Sequence, residues 1–545
     1  MSDTNHQEWW RGAVMYQIYP RSFMDSNGDG IGDLNGITER LDYVASLGVD
    51  GIWISPFFKS PQKDFGYDVS DYRDVDPMFG TLEDFDRLLA RAHELNLKVV
   101  IDQVYSHSSI EHEWFAESRV SQDNPKADWY VWEEARLDGL PPNNWLSAFG
   151  GPAWTWDGRR RQYYLHNFLS DQPDLNLHNH EVQDALLDVS RFWLERGVDG
   201  FRLDAINLGM HDPELRDNPP LPRVNDEVPE KPYFMQNPVY NLSHDDMPGF
   251  LERLRQVADE YGEKFTVAEV GGIDPHPVQR AYTGGCRLST AYAWEFLIPF
   301  RPDTDRFRDA FDVWPDEYDA GWPSWAFCNH DAPRVVTRWR GGEDGGDDGD
   351  ADWARLFALL LMSLRGNIFI YQGEELGLPQ ADVPFEKLQD PEGIINWPNT
   401  LGRDGARTPM PWKQGEPHCG FSSAEPWLPV EERHDPLSVD AQDSDPFSVL
   451  NFFRELIAVR KSSPALKYGR LRLVPSPPHV LAFTRTHGDE TVVCVFNLAA
   501  EPVTWHPELE AFDLRLSAGM SAGMSAGAGL PELLPAFSGY IGTVS

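Results

Sequence analysis

The sequence predicts an α/β fold: a (β/α)8 TIM barrel with a small domain inserted after the third strand and a C-terminal antiparallel β domain. Three observations carry this. Eight short, apolar, β-branched runs recur along the chain. Amphipathic helical stretches separate most of them. Beyond about Tyr468 the apolar period becomes two. Near-continuous apolar strands alternating with helices build a parallel sheet covered on both faces. Eight such units close into a barrel.

The expected strands are Val14–Pro20, Gly48–Pro56, Leu97–Val104, Val198–Ala205, Phe265–Gly271, Leu288–Phe296, Ser324–Asp331 and Asn367–Glu374. The expected helices include Ile37–Leu47, Leu82–Leu95, Glu181–Gly197, Pro248–Gly262 and Trp353–Leu364. More chain separates the third and fourth runs than one helix needs. That insert is rich in Trp, Tyr, Asn and Pro. The expected domains are therefore 1–106 (barrel, first part), 107–177 (insert), 178–467 (barrel, second part) and 468–545 (β domain). Asp445-Pro446 reads as an N-cap with Pro at N1, opening a further helix. In the last domain R-L-R-L-V, V-L-A-F-T-R-T and T-V-V-C-V-F-N-L alternate as antiparallel strands do. Ser517–Gly529 is low in complexity and reads as a flexible loop.

Composition removes whole classes of function. The 545 residues carry a formal net charge of −40. Such a field repels nucleic acid and anionic membrane, so neither is an expected partner, and phosphorylated or carboxylated substrates are disfavoured. The densest acidic run, Glu343–Asp352, reads as a solvated loop. No apolar stretch reaches the ~18 residues of a membrane span, and no signal peptide is visible. Cys286, Cys328, Cys419 and Cys494 are widely spaced and form no ligand pattern. They read as reduced core thiols, which places the protein in the cytoplasm.

Asp25–Leu34, D-S-N-G-D-G-I-G-D-L, resembles the first half of an EF-hand loop. Asp25, Asn27, Asp29 and Asp33 put oxygens at alternate positions, Ile31 supplies a backbone carbonyl, and Gly30 allows the sharp turn. The bidentate Glu of a full EF-hand is missing, because Gly36 stands there. The residues before the loop form a strand, not a helix. A calcium switch is thus excluded, and a structural Ca2+ or Mg2+ clip is expected. No organic cofactor is expected.

Barrel active sites lie at the C-terminal ends of the strands. There the third run supplies Asp102 and His107, the fourth Arg202 and Asp204, the fifth Glu269, and the seventh His330 and Asp331. An ordinary core would not gather such groups, because each carries a desolvation cost. Carboxylates without a Cys/His metal cluster suit glycoside hydrolysis, with one as nucleophile and one as acid.

With these residues in view, the strand ends resemble the signature regions of the α-amylase superfamily, glycoside hydrolase family 13. The resemblance runs from Y-Q-I-Y-P-R-S-F at Tyr16 to the β domain. D-F-G-Y-D at Asp64, Q-P-D-L-N at Gln172, N-H-D-A-P-R at Asn329 and A-R-T-P-M-P-W at Ala406 are similar to its α-glucosidase and oligo-1,6-glucosidase branch. It implies Asp204 as nucleophile, Glu269 as acid and then base, and Asp331 as the group that holds two sugar hydroxyls. Arg202 would lie beside Asp204 and keep it ionised. Glu269 would titrate above Asp204. His107 and His330 would bond hydroxyls, and Tyr67 would stack on the sugar. Asp64 and Arg407 would close the pocket beyond the non-reducing end, so cleavage would be exo. Phe149 and Phe168 are candidates for the aglycone side. The cation loop also matches the family.

Two departures matter. Ser106 replaces the Asn usual in the third-strand motif, so the second calcium site of some amylases is not expected. Ala205 follows the nucleophile, where this branch carries Val with α-1,6 cleavage and Thr with α-1,4. Linkage preference stays open, with short α-1,4 glucosides such as maltose favoured and sucrose a further candidate. The alternatives are an oligo-1,6-glucosidase, a glucosyltransferase or isomerase acting on sucrose or maltose, and, remotely, a non-catalytic sugar-binding protein. Small neutral oligosaccharides or α-glucosides are the expected partners. The sequence does not set the oligomeric state.

Overall fold

The computed structural model describes residues 8–222, 228–285, 287–298, 301, 303–314, 321–340, 350–400, 402–506, 512–519 and 529–544. Most of the acidic run 343–352, most of the low-complexity stretch 517–529 and Cys286 lie outside the described residues.

Eight parallel strands form the barrel: β1 Val14–Ile18, β2 Gly51–Ile54, β3 Lys98–Gln103, β4 Gly200–Leu203, β5 Phe265–Val270, β6 Thr290–Ala293, β7 Ser324–Ala326 and β8 Asn367–Tyr371. Their order around the sheet is β6-β5-β4-β3-β2-β1-β8-β7. A parallel bridge between Ala291 and Pro323 joins the two ends and nearly closes the ring. Every strand falls inside its expected run and is shorter than it. In β7 all of the shortening is at the C-terminal end, which comes at Ala326. Phe327–Asp331, expected as its end, is loop, because the chain leaves the ladder where the barrel mouth widens.

Side chains alternate across each strand. On β4, Phe201 and Leu203 face the surrounding helices, while Arg202 faces the bore. Met15, Trp53, Val100, Phe265, Val267 and Phe369 fill the bore in one cluster. Asp102 and Glu269 stand two residues further along than Val100 and Val267, on the same face. The bore is therefore apolar at its base and charged at its mouth.

The helices follow from their own ends. Leu82–Glu94 opens with a capping box between Thr81 and Asp84 and buries Phe85, Leu88, Leu89 and Ala92 on one stripe. His180–Arg196 ends on Gly197 at φ 108°, the left-handed cap that glycine adopts without strain. One expected cap is corrected. The helix expected at Asp445-Pro446 is Val449–Ser462, capped by Ser448, whose side chain accepts the Asn451 N–H. Asp445 instead accepts the Phe447 N–H and builds the preceding turn.

Between β3 and the helix His180–Arg196, short strands Trp132–Glu133, Trp154–Asp157 and Gln162–Leu165 form a three-stranded antiparallel sheet. Val131, Trp145, Ala153, Trp154 and Leu165 make its own apolar cluster. At the C-terminal end, Arg470–Leu473, Val480–His487, Glu490–Asn497, Ser538–Val544 and Phe512–Gly519 pair in that order, all antiparallel. Cys328, Cys419 and Cys494 are buried free thiols. No helix among the described residues is long and apolar enough to cross a membrane.

Candidate active site

Arg202 is fully buried on β4 and organises the mouth of the barrel. Its Nη1 donates to Asp204 Oδ1 at 2.7 Å and to Asp102 Oδ1 at 2.8 Å. Its Nη2 lies 2.5 Å from Glu269 Oε2. Arg202 and Asp204 meet because residues two apart on a strand share a face. Glu269 is held on every side. Tyr292 Oη and Trp294 Nε1 donate to its Oε1 at 3.1 and 3.0 Å, and the Ala205 amide donates to its Oε2 at 3.1 Å. Asp102 accepts from Trp53 Nε1 and Tyr67 Oη. Among the described residues, Oδ2 of Asp204 has no hydrogen-bond partner. Ala205 stands at φ 38°, a left-handed conformation costly for any residue with a Cβ.

Three carboxyls thus share one fully buried guanidinium. Burial raises the Asp204 carboxyl well above the ordinary range; Arg202 opposes the rise, and Glu269 and Asp102 add to it. Burial likewise lifts Asp102 to about 6. Arg202 was expected to keep Asp204 ionised, and it is the cation that opposes the effect of burial there. Burial and the neighbouring acids act against that cation on Asp204, and the three carboxyls titrate as a set.

Asp331 shows the opposite balance. Burial would raise its carboxyl, but His330, Arg407 and Arg403 hold it far below the ordinary range. Arg407 Nη2 lies 2.6 Å from its Oδ1, Arg403 Nη1 3.3 Å from the same oxygen, and His330 Nε2 3.1 Å from Oδ2. The Gln17 amide donates to His330 Nδ1 at 2.8 Å, so Nε2 carries the hydrogen and points at Tyr67 Oη, 2.6 Å away. Burial keeps His330 neutral and lowers His107 to about 4. Both imidazoles are therefore uncharged hydrogen-bonding groups at neutral pH.

Tyr67 was expected to stack on a sugar. One face of its ring lies parallel on His330, with centroids 5.4 Å apart. Asp64 and Arg407 were expected to close the pocket beyond the non-reducing end, and each is held by a different partner. Asp64 Oδ1 pairs with Arg403 Nη2 at 2.7 Å, while Arg407 sits on Asp331 and donates to the His330 carbonyl. Arg403 also holds Asp390 at 2.7 Å and lies over the Phe149 ring. Gln172 Nε2 lies 3.1 Å from both Asp64 Oδ2 and His107 Nε2. Phe168 packs on His107 and on Phe149. The fold thus gathers Asp64, Tyr67, His107, Phe149, Phe168, Arg202, Asp204, Ala205, Glu269, His330, Asp331 and Arg407 into one continuous site. Arg403, Asp390, Tyr292 and Trp294 were missed from sequence. An Arg four residues before Arg407, and aromatics at the end of the sixth strand, were the available signals.

The cation loop lies apart from this site, packed on the residue 421–427 segment. Asp25 is buried. Burial would raise its carboxyl, but donors from Ser422, Gly30, Gly28 and Asn27 hold it below the ordinary value. Asp29 N–H bonds Asn27 Oδ1, and Ile31 N–H bonds Asp29 Oδ1, which wraps the backbone. Gly30 stands at φ 90°, and a Cβ there would lie 2.1 Å from the Glu425 carbonyl. Asp33, expected as a ligand, caps the helix Leu34–Ser46 and bonds Ser26. The donors are hard oxygens, as Ca2+ or Mg2+ requires. The side chains are nonetheless committed to protein donors, and binding has to compete with those bonds.

A barrel whose mouth gathers four carboxylic acids, two neutral histidines and three arginines defines a glycosidase. Residues 17–469 match the α-amylase catalytic domain, and residues 472–540 match the maltogenic amylase C-terminal domain. The chain belongs to the α-amylase family and is a glycoside hydrolase. It is 54% identical over 513 residues to a probable α-glucosidase of Rhizobium meliloti, covering 91% of each chain. It is 39% identical to an oligo-1,6-glucosidase of Heyndrickxia coagulans, covering 91% of this chain and 93% of that one. Among solved structures it is similar to the α-glucosyl transfer enzyme XgtA, with 49% identity, TM-score 0.93, and 99% and 100% of the two chains covered. It is also similar to the trehalulose synthase MutB of Pseudomonas mesoacidophila MX-45, with 33% identity, TM-score 0.87 and the same coverage.

Proposed function

We propose that this protein is an exo-acting, retaining α-glucosidase. It releases glucose from the non-reducing end of short α-glucosides, maltose-like and with sucrose as a further candidate. One observation carries the reading: Asp204 and Glu269 sit side by side on the two Nη atoms of Arg202, and Arg403 and Arg407 close the site on Asp64 and Asp331. Retaining glycosidases need close carboxyls, whereas inverting ones need room for a water between them.

The chemistry follows from that placement. Oδ2 of Asp204 attacks the anomeric carbon as the bond to the leaving oxygen breaks, and Glu269 gives that oxygen its proton. Water then attacks the glucosyl-enzyme, Glu269 takes the proton back, and the Asp204 ester bond breaks. Asp331, held anionic, accepts hydrogen bonds from the sugar hydroxyls and favours the cationic transition state. His107 and His330 add neutral contacts. A sugar in place of water gives transglucosylation. The likeness to XgtA and MutB supports that second outcome, as does the MutB structure in complex with the substrate sucrose.

The test is glucose release from equal concentrations of maltose, isomaltose, sucrose, trehalose and soluble starch. Release from maltose or sucrose, with little from isomaltose or starch, is expected. Release mainly from isomaltose makes this an oligo-1,6-glucosidase, in which Ala205 stands in for Val. Isomerised disaccharide with little free glucose overturns the hydrolase reading.

The acid limb of kcat/KM is a second expected result. The nucleophile works only when ionised, so a raised carboxyl loses activity at a higher pH than the ~3.9 of an ordinary Asp. With Asp204 raised by burial, activity falls at a higher pH than an ordinary Asp would set. A profile flat down to pH 4 contradicts this electrostatic account.

We also propose that the loop carrying Asp25, Asn27, Asp29, Asp33 and the Ile31 carbonyl takes a structural Ca2+ or Mg2+. A cation that binds only the native state raises its stability. Excess EDTA should lower the thermal midpoint, and Ca2+ should restore it. An unchanged midpoint removes the site. The buried free thiols support a reducing, cytoplasmic setting.

A further inference from the structure

A second cluster of chemistry-bearing side chains lies outside the catalytic machinery. His178 precedes the helix His180–Arg196, and His244 and Asp246 precede the helix Met247–Asp259. One ligand atom from each lies within 4.8 Å of the others, and these three form the one such His/Cys/Asp/Glu group among the described residues. His244 Nδ1 is 3.7 Å from Asp246 Oδ2. Donors around a tetrahedral cation at ~2.0–2.1 Å stand roughly 3.4 Å apart, so only a small closing movement is needed there.

Hydrogen bonds set the tautomers. His178 Nε2 is 2.7 Å from the His211 carbonyl, which only accepts, so Nε2 carries the hydrogen and Nδ1 the lone pair. An imidazole that donates its other N–H to a backbone carbonyl is the usual arrangement of a metal-bound histidine. His244 Nδ1 receives the Asp246 amide at 3.2 Å, so it too is unprotonated. That long bond is the one a metal would displace. The His178 ring meets His211 and His244 edge to face, at 5.1 and 5.0 Å, so the three rings do not stack over each other.

We propose that His178, His244 and Asp246 form a binding site for a borderline divalent cation of the zinc class, with water completing the coordination. Two imidazoles and one carboxylate suit such a metal and are a poor set for Ca2+ or Mg2+, which favour oxygen. The two helix N-termini oppose a cation. The Asp246 carboxylate and the −40 net charge offset that.

The site would tie the chain that follows the nucleophile to the end of the insert. That chain is already anchored near His244, where Asn207 Nδ2 donates to Ser243 Oγ and to the Gly271 carbonyl, both at 2.9 Å. A filled site would hold its far end against the start of the helix His180–Arg196.

The experiment is Zn2+ titration of the full-length, EDTA-treated protein against a chromophoric chelator, with excess Ca2+ and Mg2+ blocking oxygen-only sites. One equivalent per chain should bind, and the thermal midpoint should rise. Co2+ should give the visible absorption of a low-coordinate centre. The His178→Ala/His244→Ala pair, and His244→Gln alone as a milder variant, should weaken binding by roughly 100-fold or more. Both variants should keep maltose hydrolysis in the absence of metal. No stoichiometric binding overturns the proposal. Equal binding by wild type and both variants also overturns it, because the metal is then adventitious.

Discussion

Asp204→Ala is expected to lower kcat roughly 10³-fold or more, because the carboxylate that forms the covalent intermediate is gone. The structure adds a condition that separates this from unfolding. Asp204 is one of three carboxyls on Arg202, and its removal leaves two, Asp102 and Glu269, on a cation still fully buried. The charge balance improves, so the thermal midpoint should hold or rise. The space left behind faces the anomeric carbon, and a small anion can occupy it. Azide should therefore restore turnover of an activated aryl α-glucoside and give the β-glucosyl azide, by attack from the face that Asp204 uses. Activity within tenfold of wild type would sink the assignment. A stable, inactive variant that azide does not rescue would leave Asp204 required but not as the nucleophile.

The sequence was most legible where burial is near complete and periodic. The eight strands stood out because both faces of each are covered, so their cores read as continuous apolar runs. Arg202 and Asp204 were readable as neighbours because strand period alone puts them on one face. Glu269 was found for a related reason: an acid ending V-A-E-V has no place in an ordinary core. Asp331 was found as the end of the seventh run, although it lies on a loop beyond β7 and not on the strand.

Contacts that depend on folded distance were not legible. Nothing local says that Arg403, rather than Arg407, reaches Asp64 across 339 positions. Tyr292 and Trp294 went unseen because aromatics at a strand end read as core, although these two residues fix Glu269. Asp445-Pro446 misled because its local signal is strong, and Asp445 spends its side chain on a turn while Ser448 takes the cap. The raised Asp204 carboxyl was hidden for a deeper reason. A sequence shows that an arginine is near, but not that three carboxyls share it.

That sharing makes Arg202→Met the most informative stability experiment. The cation contacts Asp102, Asp204 and Glu269, and its own charge is stabilised by them far above the ordinary arginine value despite burial. Removing one partner of a buried ion pair costs about 3–5 kcal/mol, and here it strands three acids at once. The size of the loss should depend on pH, and the sign is fixed. Asp102 and Asp204 already titrate higher folded than unfolded, so the folded state binds more protons and the groups oppose folding as pH rises through that interval. Without Arg202 the carboxyls rise further, and the penalty grows over a wider range. Urea unfolding should therefore show a larger destabilisation at pH 8 than at pH 5, where protonation neutralises the stranded acids. Activity should be lost at both pH values, since Asp204 and Glu269 both lose the fork that positions them. An equal loss of stability at pH 5 and pH 8 would mean that Arg202 supports the barrel by packing over Trp53, 4.9 Å away, and not by charge.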